Sequence, residues 1–171
     1  IEVQAWNEST EAKNNYAVQV KLIDDNGVVI IDTLQKTFGL KRINGSKTEL
    51  HFHNQFTGAK AWTAEIPTLY TLQICLLNEN KIPVEVINKK IGFRNVEIKN
   101  GQLLVNGKAI YFKGVNRHES DPYSNQVISR ERMLQDITEM KKMNINAVRN
   151  SHYPDDDYWY DLCNEYGLYM V

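Results

Sequence analysis

The hydrophobic pattern of this sequence changes near residue 93, and the change restricts the possible folds more than any other feature. From residue 1 to about residue 93, short apolar runs alternate with a period of two and are separated by turn signals. One run places Tyr16, Val18, Val20 and Leu22 on one face of a strand. About seven such strands, with no helical stretch between them, predict an all-β antiparallel sandwich of immunoglobulin or fibronectin type over residues 1–93.

Residues 94–171 contain strands that alternate with helices. Asn-Gly pairs at residues 100–101 and 106–107 lie between apolar runs and predict two hairpin turns, because both turn residues must tolerate positive φ. Strands are then predicted over residues 109–115, 145–148 and 168–171, with a helix in each interval. This order is typical of a parallel βαβ series. The predicted fold class is therefore mixed, a sandwich followed by a βαβαβ segment.

Both helices carry recognisable end signals. Ser129 is expected to cap the first helix, and Lys141-Lys142 in its last turn suit the helix dipole. Pro154 is expected at the first position of the second helix, and Gly167 is expected to end it. Asp155 to Asp157 then fill the positive end of that helix. We interpret the acidic run as a first helical turn and not as a metal-binding cluster.

Composition and charge exclude several classes of function. With 42% hydrophobic and 24% charged residues among 171, the chain is expected to fold and not to be disordered. A net charge of -1, without a Lys/Arg run longer than a pair, gives no surface for nucleic acid. No apolar stretch approaches the roughly 20 residues of a membrane span. Cys75 and Cys163 lie in apolar patterns and are predicted to be buried free thiols.

Two histidines and an arginine follow or end predicted strands. His118 comes after the first parallel strand and His152 after the second, while Arg149 ends the second strand itself. Because binding groups gather at the carboxyl ends of parallel strands, the two histidine side chains are expected to converge on one edge. Arg149 is expected to face the same edge and, if buried, to pair with a carboxylate. These three residues are the candidate site.

Other residues whose type could suggest a functional role are interpreted as structural. Trp62 is expected in a core and not on a sugar-stacking surface. His51 and His53 share one face of a strand, but a third metal ligand is missing nearby. Glu119 resembles a general acid, yet its position beside Arg117 and His118 favours a structural pairing.

Several motifs together resemble those of one enzyme family, glycoside hydrolase family 2, and within it the β-galactosidases. The motifs are GFR, NGQLLVNGKAIYFKGVNRHE and NAVRNSHYPDDDYWYDLCNEYGLYMV, at residues 92–94, 100–119 and 146–171. AEIPTLYTL, at residues 64–72, resembles the family's immunoglobulin-like domain ahead of the catalytic barrel. NRHE is the most specific of these motifs, together with SHYP, and it favours the galactosidase branch over the glucuronidases.

The resemblance implies a retaining exo-β-galactosidase, with residues 94–171 forming the start of an incomplete (β/α)8 barrel. In that family His118 and His152 would contact the galactosyl ring, and Arg149 would orient the nucleophile. No catalytic residue is expected in this chain, since both glutamates would lie on later strands. No cofactor is expected here either, although the parent enzyme could use Mg²⁺ and Na⁺. The parent is expected to be oligomeric and to act on a β-galactoside.

Alternatives remain open at this point. A β-glucuronidase or β-mannosidase of the same family would share most of the motifs, and a non-catalytic carbohydrate-binding or spacer module would need only the sandwich. A small nucleotide-binding domain is disfavoured, because neither GxGxxG nor GxxxxGK occurs in the sequence. A first residue of Ile suggests a piece of a longer protein. Because both catalytic glutamates would lie on later strands, the isolated chain is expected to lack glycosidase activity.

Overall fold

The computed structural model describes residues 1–41 and 46–171, which separate into two compact units. The first, called the sandwich unit, consists of Ile1–Ala59 and Tyr70–Ile91. The second, called the βα unit, consists of Lys60–Leu69 and Gly92–Val171. Lys60–Leu69 therefore packs with the βα unit, although it lies between two segments of the sandwich unit in the sequence. The predicted domain boundary between residues 93 and 94 stays a prediction.

The sandwich unit is built from two antiparallel sheets. Its described strands are β1 (Glu2–Asn7), β2 (Lys13–Ile23), β3 (Val29–Leu40), β4 (Ser46–His51), β5 (Tyr70–Leu77) and β6 (Pro83–Ile91). β1 pairs with β4, and the other strands form a sheet in the order β3-β2-β5-β6. The described residues thus form six strands where the sequence predicts about seven.

The alternation in β2 buries one face of the four-stranded sheet. Val18, Val20 and Leu22 are buried, and Val18 and Val20 share a cluster with Leu50 and Phe52. Because Leu50 belongs to β4, this cluster joins the inner faces of the two sheets. The sandwich architecture predicted from the period-two pattern is confirmed.

Two side-chain predictions in the sandwich unit can be compared directly with the structure. His51 and His53 are exposed while Phe52 between them is buried, as the alternation requires. Cys75 is a free thiol, but it is half-buried and not fully enclosed. Both histidines are therefore surface residues of this unit.

The βα unit begins with a small antiparallel meander. Its strands are β7 (Val96–Lys99), β8 (Gln102–Val105) and β9 (Lys108–Ala109). Asn100 and Asn106 adopt φ of 52°, followed by Gly101 at 75° and Gly107 at 76°. Positive φ at both residues is the geometry of a type I′ hairpin turn, so the two predicted hairpins are confirmed.

A parallel βαβαβ series completes the βα unit. It runs through β10 (Gly114–Arg117), α1 (Arg130–Lys142), β11 (Ala147–Asn150), α2 (Asp157–Tyr166) and β12 (Tyr169–Met170). The strands lie in the order β10-β11-β12, and both pairings are parallel. The topology matches the prediction, but β10 starts at Gly114 and β11 extends to Asn150. Arg149 therefore lies within its strand and not just at the end.

The helix ends agree with the sequence signals except at the start of α2. Ser129 accepts a hydrogen bond from the Arg132 backbone N–H, and Gly167 ends α2 at φ 76°. The N-cap of α2 is Asp156, so Pro154 precedes the helix and the prediction that it opens the first turn is wrong. Asp155 also lies before the cap. Its side chain is thereby free to make a different contact.

The core of the βα unit packs both helices against β11. It contains Met133, Ile137, Val148, Trp159, Leu162, Cys163 and Leu168. Trp62 is 1% exposed, as expected for a core residue, but it belongs to this unit and not to the sandwich unit. Its indole N–H donates to the Asn164 carbonyl at 2.8 Å, and its ring meets that of Tyr169 edge to face. A Cβ added at Gly92 would come within 2.8 Å of the Trp62 Cβ.

In the described part of the chain, no helix combines the length and apolar character that crossing a membrane requires.

Candidate functional site

The candidate site lies at the carboxyl edge of two neighbouring parallel strands. In the pairing of β10 with β11, Asn116 faces Arg149 and Arg117 faces Asn150. His118 follows β10 directly, and His152 follows β11 after one intervening residue, Ser151. Because co-directional strands end at one edge of their sheet, the register alone brings the two histidine-bearing loops together.

The structure places the two imidazoles in contact. The ring centroids of His118 and His152 are 5.6 Å apart, and the ring planes meet at 82°. Both side chains belong to exposed residues, so their polar edges remain available to a ligand. The predicted convergence of these rings therefore matches the observed geometry, whereas their role in binding sugar stays a prediction.

Arg149 joins this pair through His152. Its Nη2 lies 3.2 Å from His152 Nδ1, and its Nη1 donates to the Ser151 hydroxyl at 3.3 Å. Because a guanidinium has donors only, Nδ1 must accept this bond, and a neutral His152 then carries its proton on Nε2. The Nε2 N–H of a neutral His152 is therefore a hydrogen-bond donor that Arg149 does not occupy.

The expected pairing of Arg149 with a carboxylate, the nucleophile of a later strand, stays a prediction. Arg149 is exposed, and within residues 1–41 and 46–171 it forms no ion pair. The role of orienting a nucleophile stays a prediction.

The buried arginine of the site is Arg117, whose side chain is 4% exposed. Its Nη1 donates to Asp155 Oδ2 at 2.9 Å, and its Nε donates to Asp136 Oδ2 at 3.3 Å. Glu119 Oε1 lies 3.6 Å from Nη1, which confirms Glu119 as a structural partner. The guanidinium also lies 4.0 Å from the centre of the Trp159 ring.

Sequence reasoning missed the importance of Arg117. A usable signal was the alternation in β10, which places Arg117 on the same face as the partly buried Val115. Asp155 was predicted to balance a helix dipole, but its fully buried side chain neutralises Arg117 instead. Nothing in the local sequence links these two residues, which are 38 positions apart.

The buried charges alter the acid-base properties of nearby groups. Burial raises the pKa of the Asp155 carboxyl above its ordinary value of 3.8, and the Glu119 carboxylate adds to this rise while Arg117 opposes it. Burial raises the pKa of the Cys163 thiol from 9.0 to about 12. Among the described residues, Arg117 Nη2 and Asp155 Oδ1 are buried without a hydrogen-bond partner.

The described residues offer little for a metal ion. Within residues 1–41 and 46–171, no group of three His, Cys, Asp or Glu side chains is placed to hold a metal ion. The chemistry that the arrangement can perform is hydrogen bonding, with two imidazoles and a guanidinium facing one edge.

Comparison with known proteins identifies the family. Residues 1–94 match the family model described as glycosyl hydrolases family 2, and residues 96–171 match the model of that family's TIM barrel domain. The chain belongs to glycosyl hydrolase family 2. Its fold class, a sandwich followed by part of a TIM barrel, is confirmed by these matches.

Curated relatives carry a more specific description. The chain is 42% identical over 154 residues to the β-galactosidase BgaC of Bifidobacterium adolescentis, which covers 90% of this chain and 14% of the relative. It is 54% identical over 110 residues to a β-galactosidase of Halalkalibacterium halodurans, covering 64% of this chain and 11% of the relative. The chain therefore spans only about a seventh or less of the length of these relatives.

Solved structures of other members share the backbone. A β-glucuronidase of Bacteroides uniformis superposes with a TM-score of 0.87 at 26% identity, covering 99% of this chain and 20% of that one. A β-galacturonidase of Eisenbergiella tayi gives a TM-score of 0.82 at 24% identity, covering 99% of this chain and 28% of that one. These likenesses extend over both units of the fold.

Proposed function

We propose that this chain supplies one wall of the sugar-binding site of a retaining β-galactosidase. The observation that carries the proposal is the contact between His118 and His152, whose ring centroids lie 5.6 Å apart at the carboxyl edge of β10 and β11. Active sites of TIM barrels lie at this edge. The relatives named β-galactosidase, at 42% and 54% identity, support galactose as the sugar.

In this proposal the histidines bind the hydroxyl groups of the sugar ring. His152 presents its Nε2 proton to the ligand, because Arg149 occupies Nδ1 at 3.2 Å. The His118 ring stands at 82° to that of His152, so the two rings contact different parts of one ligand. Hydrogen bonds that strengthen as the ring distorts would then stabilise the transition state.

The carboxylates beside the histidines are poorly suited to the reaction itself. Retaining glycosidases need an acid/base and a nucleophile about 5–5.5 Å apart, each free to contact substrate. Glu119 and Asp155 are instead engaged with Arg117. We therefore propose that both catalytic glutamates belong to later barrel strands, and that Arg149 contacts the nucleophile there.

Metal ions and assembly enter the proposal only through the larger protein. The described residues contain no group of three candidate metal ligands. Any such ion would be held by other segments. An oligomeric parent likewise stays a prediction.

A second candidate is a β-glucuronidase. Arg149 is exposed and forms no ion pair among residues 1–41 and 46–171, so its guanidinium could receive the carboxylate of a uronic acid. The superposition on the Bacteroides uniformis β-glucuronidase agrees with this possibility. Its identity of 26% is well below the 42% and 54% of the relatives named β-galactosidase, which is why galactose is preferred.

Activity assays distinguish these proposals. The full-length protein that contains this chain is assayed with aryl β-galactoside, β-glucuronide and β-mannoside, and hydrolysis of the galactoside alone is expected. His118→Ala and His152→Ala should each lower kcat by about a hundredfold or more, the usual cost of losing a transition-state donor. His51→Ala is the matched control, since His51 is an exposed histidine of the sandwich unit.

Two results would contradict the proposal. If the full-length protein hydrolyses the glucuronide faster than the galactoside, the β-glucuronidase becomes the preferred candidate. If the His118 and His152 variants keep the activity of His51→Ala, the two histidines do not contribute to the site. The isolated 171-residue chain should not hydrolyse the galactoside. Turnover by the pure chain would place the catalytic carboxylates within it.

A further inference from the structure

Arg117 links the two loops that carry the candidate sugar-binding histidines. It is the last residue of β10 and directly precedes His118, while its partner Asp155 lies three residues after His152. We infer that Arg117 is a positioning residue that fixes the spacing and angle of the two imidazoles through Asp155. The inference rests on the proposed function only in assuming that the paired histidines bind the ligand.

The connection between the loops is short and directional. The guanidinium Nη1 donates to Asp155 Oδ2 at 2.9 Å, and the side chains are 4% and 0% exposed. Bonds to ionised groups are among the strongest in proteins, and water does not compete at this depth. A rotation of either loop therefore has to break or stretch this bond.

Two further contacts keep the guanidinium from moving as a whole. Its Nε donates to Asp136 Oδ2 at 3.3 Å, which ties it to α1, and its flat face lies 4.0 Å from the ring centre of Trp159 in α2. Arg117 is thus held by both helices, and Asp155 is positioned against a fixed point. A lysine cannot reproduce this arrangement, because its ammonium lacks the planar fork and the stacking face.

Stability alone does not account for such a buried pair. Taking two charges out of water opposes folding, and apolar residues of similar volume are often equally stable in their place. Burial also raises the pKa of the Asp155 carboxyl, as expected where desolvation outweighs the charge of Arg117. The feature that an apolar pair would lose is the fixed direction of the bond between the loops.

Other hydrogen bonds also join the two loops, so an experiment has to show whether Arg117 is needed in addition to them. The Ser151 N–H donates to the Arg117 carbonyl at 2.9 Å, and the Glu119 N–H donates to the Tyr153 hydroxyl at 3.2 Å. If these bonds were sufficient, the histidine pair would keep its geometry without the guanidinium. If Arg117 is the positioning residue, the pair would separate although the backbone bonds remain.

Nuclear magnetic resonance of the 171-residue chain can measure the pair directly, since the chain contains only four histidines. With labelled histidine, the wild type should show a nuclear Overhauser cross-peak between the rings of His118 and His152. Arg117→Lys should lose that cross-peak. Arg130→Lys is the matched control, because Arg130 stacks on Tyr158 of α2 at 5.0 Å and, among the described residues, no hydrogen bond or ion pair joins it to either loop. This variant should keep the cross-peak.

A double variant separates positioning from stability. Arg117→Met with Asp155→Leu replaces the buried pair by apolar side chains, so the βα unit should still fold, as judged by the methyl signals of Ile137 and Val148. The inference expects this folded variant to lack the cross-peak. It would be overturned by a folded Arg117 variant that keeps the wild-type cross-peak, or by a double variant that cannot fold, since the pair would then be needed for stability.

A sugar titration keeps this inference apart from the proposed function. Methyl β-galactoside is added to the wild-type chain, and the ring signals of His118 and His152 are followed with those of His51 and His53 as internal references. If the ring signals of His118 and His152 shift no more than those of His51 and His53, the result would count against the proposed function. The cross-peak between the rings would still decide whether Arg117 positions them.

Discussion

The two units of the chain differ in what they bury. Among the described residues, the sandwich unit buries one polar side chain, Asn7, whereas the βα unit buries Arg117, Ser151 and Asp155. All three of those residues lie beside the candidate histidines. Buried charge is costly, so its concentration at one strand edge marks the part of the molecule where orientation matters more than packing.

The units also differ in how much apolar surface they leave in solvent. β6 of the sandwich unit exposes nearly every residue, including Val84, Val86 and Ile87, and it lies at the edge of its sheet. The helices of the βα unit enclose Trp159 and Ile137 completely. Truncations of buried side chains should therefore have larger effects in the βα unit than in the sandwich unit.

The two cysteines should give the largest contrast. The pKa of Cys163 rises from 9.0 to about 12, which lowers its thiolate population at neutral pH by a factor on the order of a thousand. Cys75 in the sandwich unit is only half-buried. Iodoacetamide should alkylate Cys75 in the folded chain and leave Cys163 unmodified, as read by peptide mass spectrometry. Equal labelling without denaturant would show that the βα core is open.

Truncation of a buried tryptophan should have the next largest effect. Trp159 is 0% exposed, and Trp159→Ala should lower the free energy of unfolding of the βα unit by about 3–5 kcal/mol. Trp6 of the sandwich unit is 59% exposed, and Trp6→Ala should cost less than about 0.5 kcal/mol. Denaturant unfolding measures both. Similar losses for the two variants would remove the contrast between the units.

Two glycines test how closely each unit packs its backbone. Gly27 and Gly167 adopt φ of 81° and 76°, but a Cβ would meet nothing within 4 Å at Gly27 and would collide with the Ala64 backbone at Gly167. Gly27→Ala should cost about 1–2 kcal/mol for its positive φ. Gly167→Ala should cost roughly 1–3 kcal/mol more from overpacking. Thermal unfolding of the two variants gives this difference, and equal costs would mean that α2 shifts freely.

The smallest expected effects are pH dependences of opposite sign. Hydrogen bonds from the Thr33 backbone and side chain lower the pKa of Asp32 in the sandwich unit, whereas burial raises that of Asp155, both from an ordinary value of 3.8. The contribution of Asp32 to stability is present above 3.8 and is lost as the pH falls through its lower folded pKa. That of Asp155 is present below 3.8 and is lost as the pH rises through its higher folded pKa.

Variants Asp32→Asn and Asp155→Asn measure the sign of the pH dependence that each carboxyl contributes to stability. The advantage of wild type over Asp32→Asn should grow as the pH rises towards 3.8 and stay level above it. The advantage of wild type over Asp155→Asn should be level below 3.8 and shrink as the pH rises above it. Urea unfolding at a series of pH values gives both differences. Slopes of the same sign would mean that Arg117 outweighs burial at Asp155.

The sequence predicts the architecture well because periodicity and turn chemistry are local. The alternation in β2, the Asn-Gly turns and the Ser129 cap all act within a few residues, and all three are found in the structure. His118 and His152 could also be placed, since the carboxyl ends of parallel strands are ordered by topology. These features require no knowledge of distant contacts.

The interior of the site could not be predicted in the same way. The pairing of Arg117 with Asp155 spans 38 positions and depends on which face of β10 meets the start of α2. Asp155 carries a signal for a helix start, and that local signal hides its distant partner. Trp62 shows the same limit, because its hydrophobicity predicts burial but not the unit in which it is buried.

The crossing of Lys60–Leu69 into the βα unit limits how this part of the molecule can be rearranged. A gene fusion that joined the sandwich of one family member to the barrel of another at residue 93 would bring a foreign Trp62 and Ala64 into the barrel. Lys141 donates to the carbonyls of Ala64 and Gly167, so a mismatched segment would disturb the ends of both helices. Chimeras and directed recombination should therefore inherit residues 60–69 together with residues 92–171.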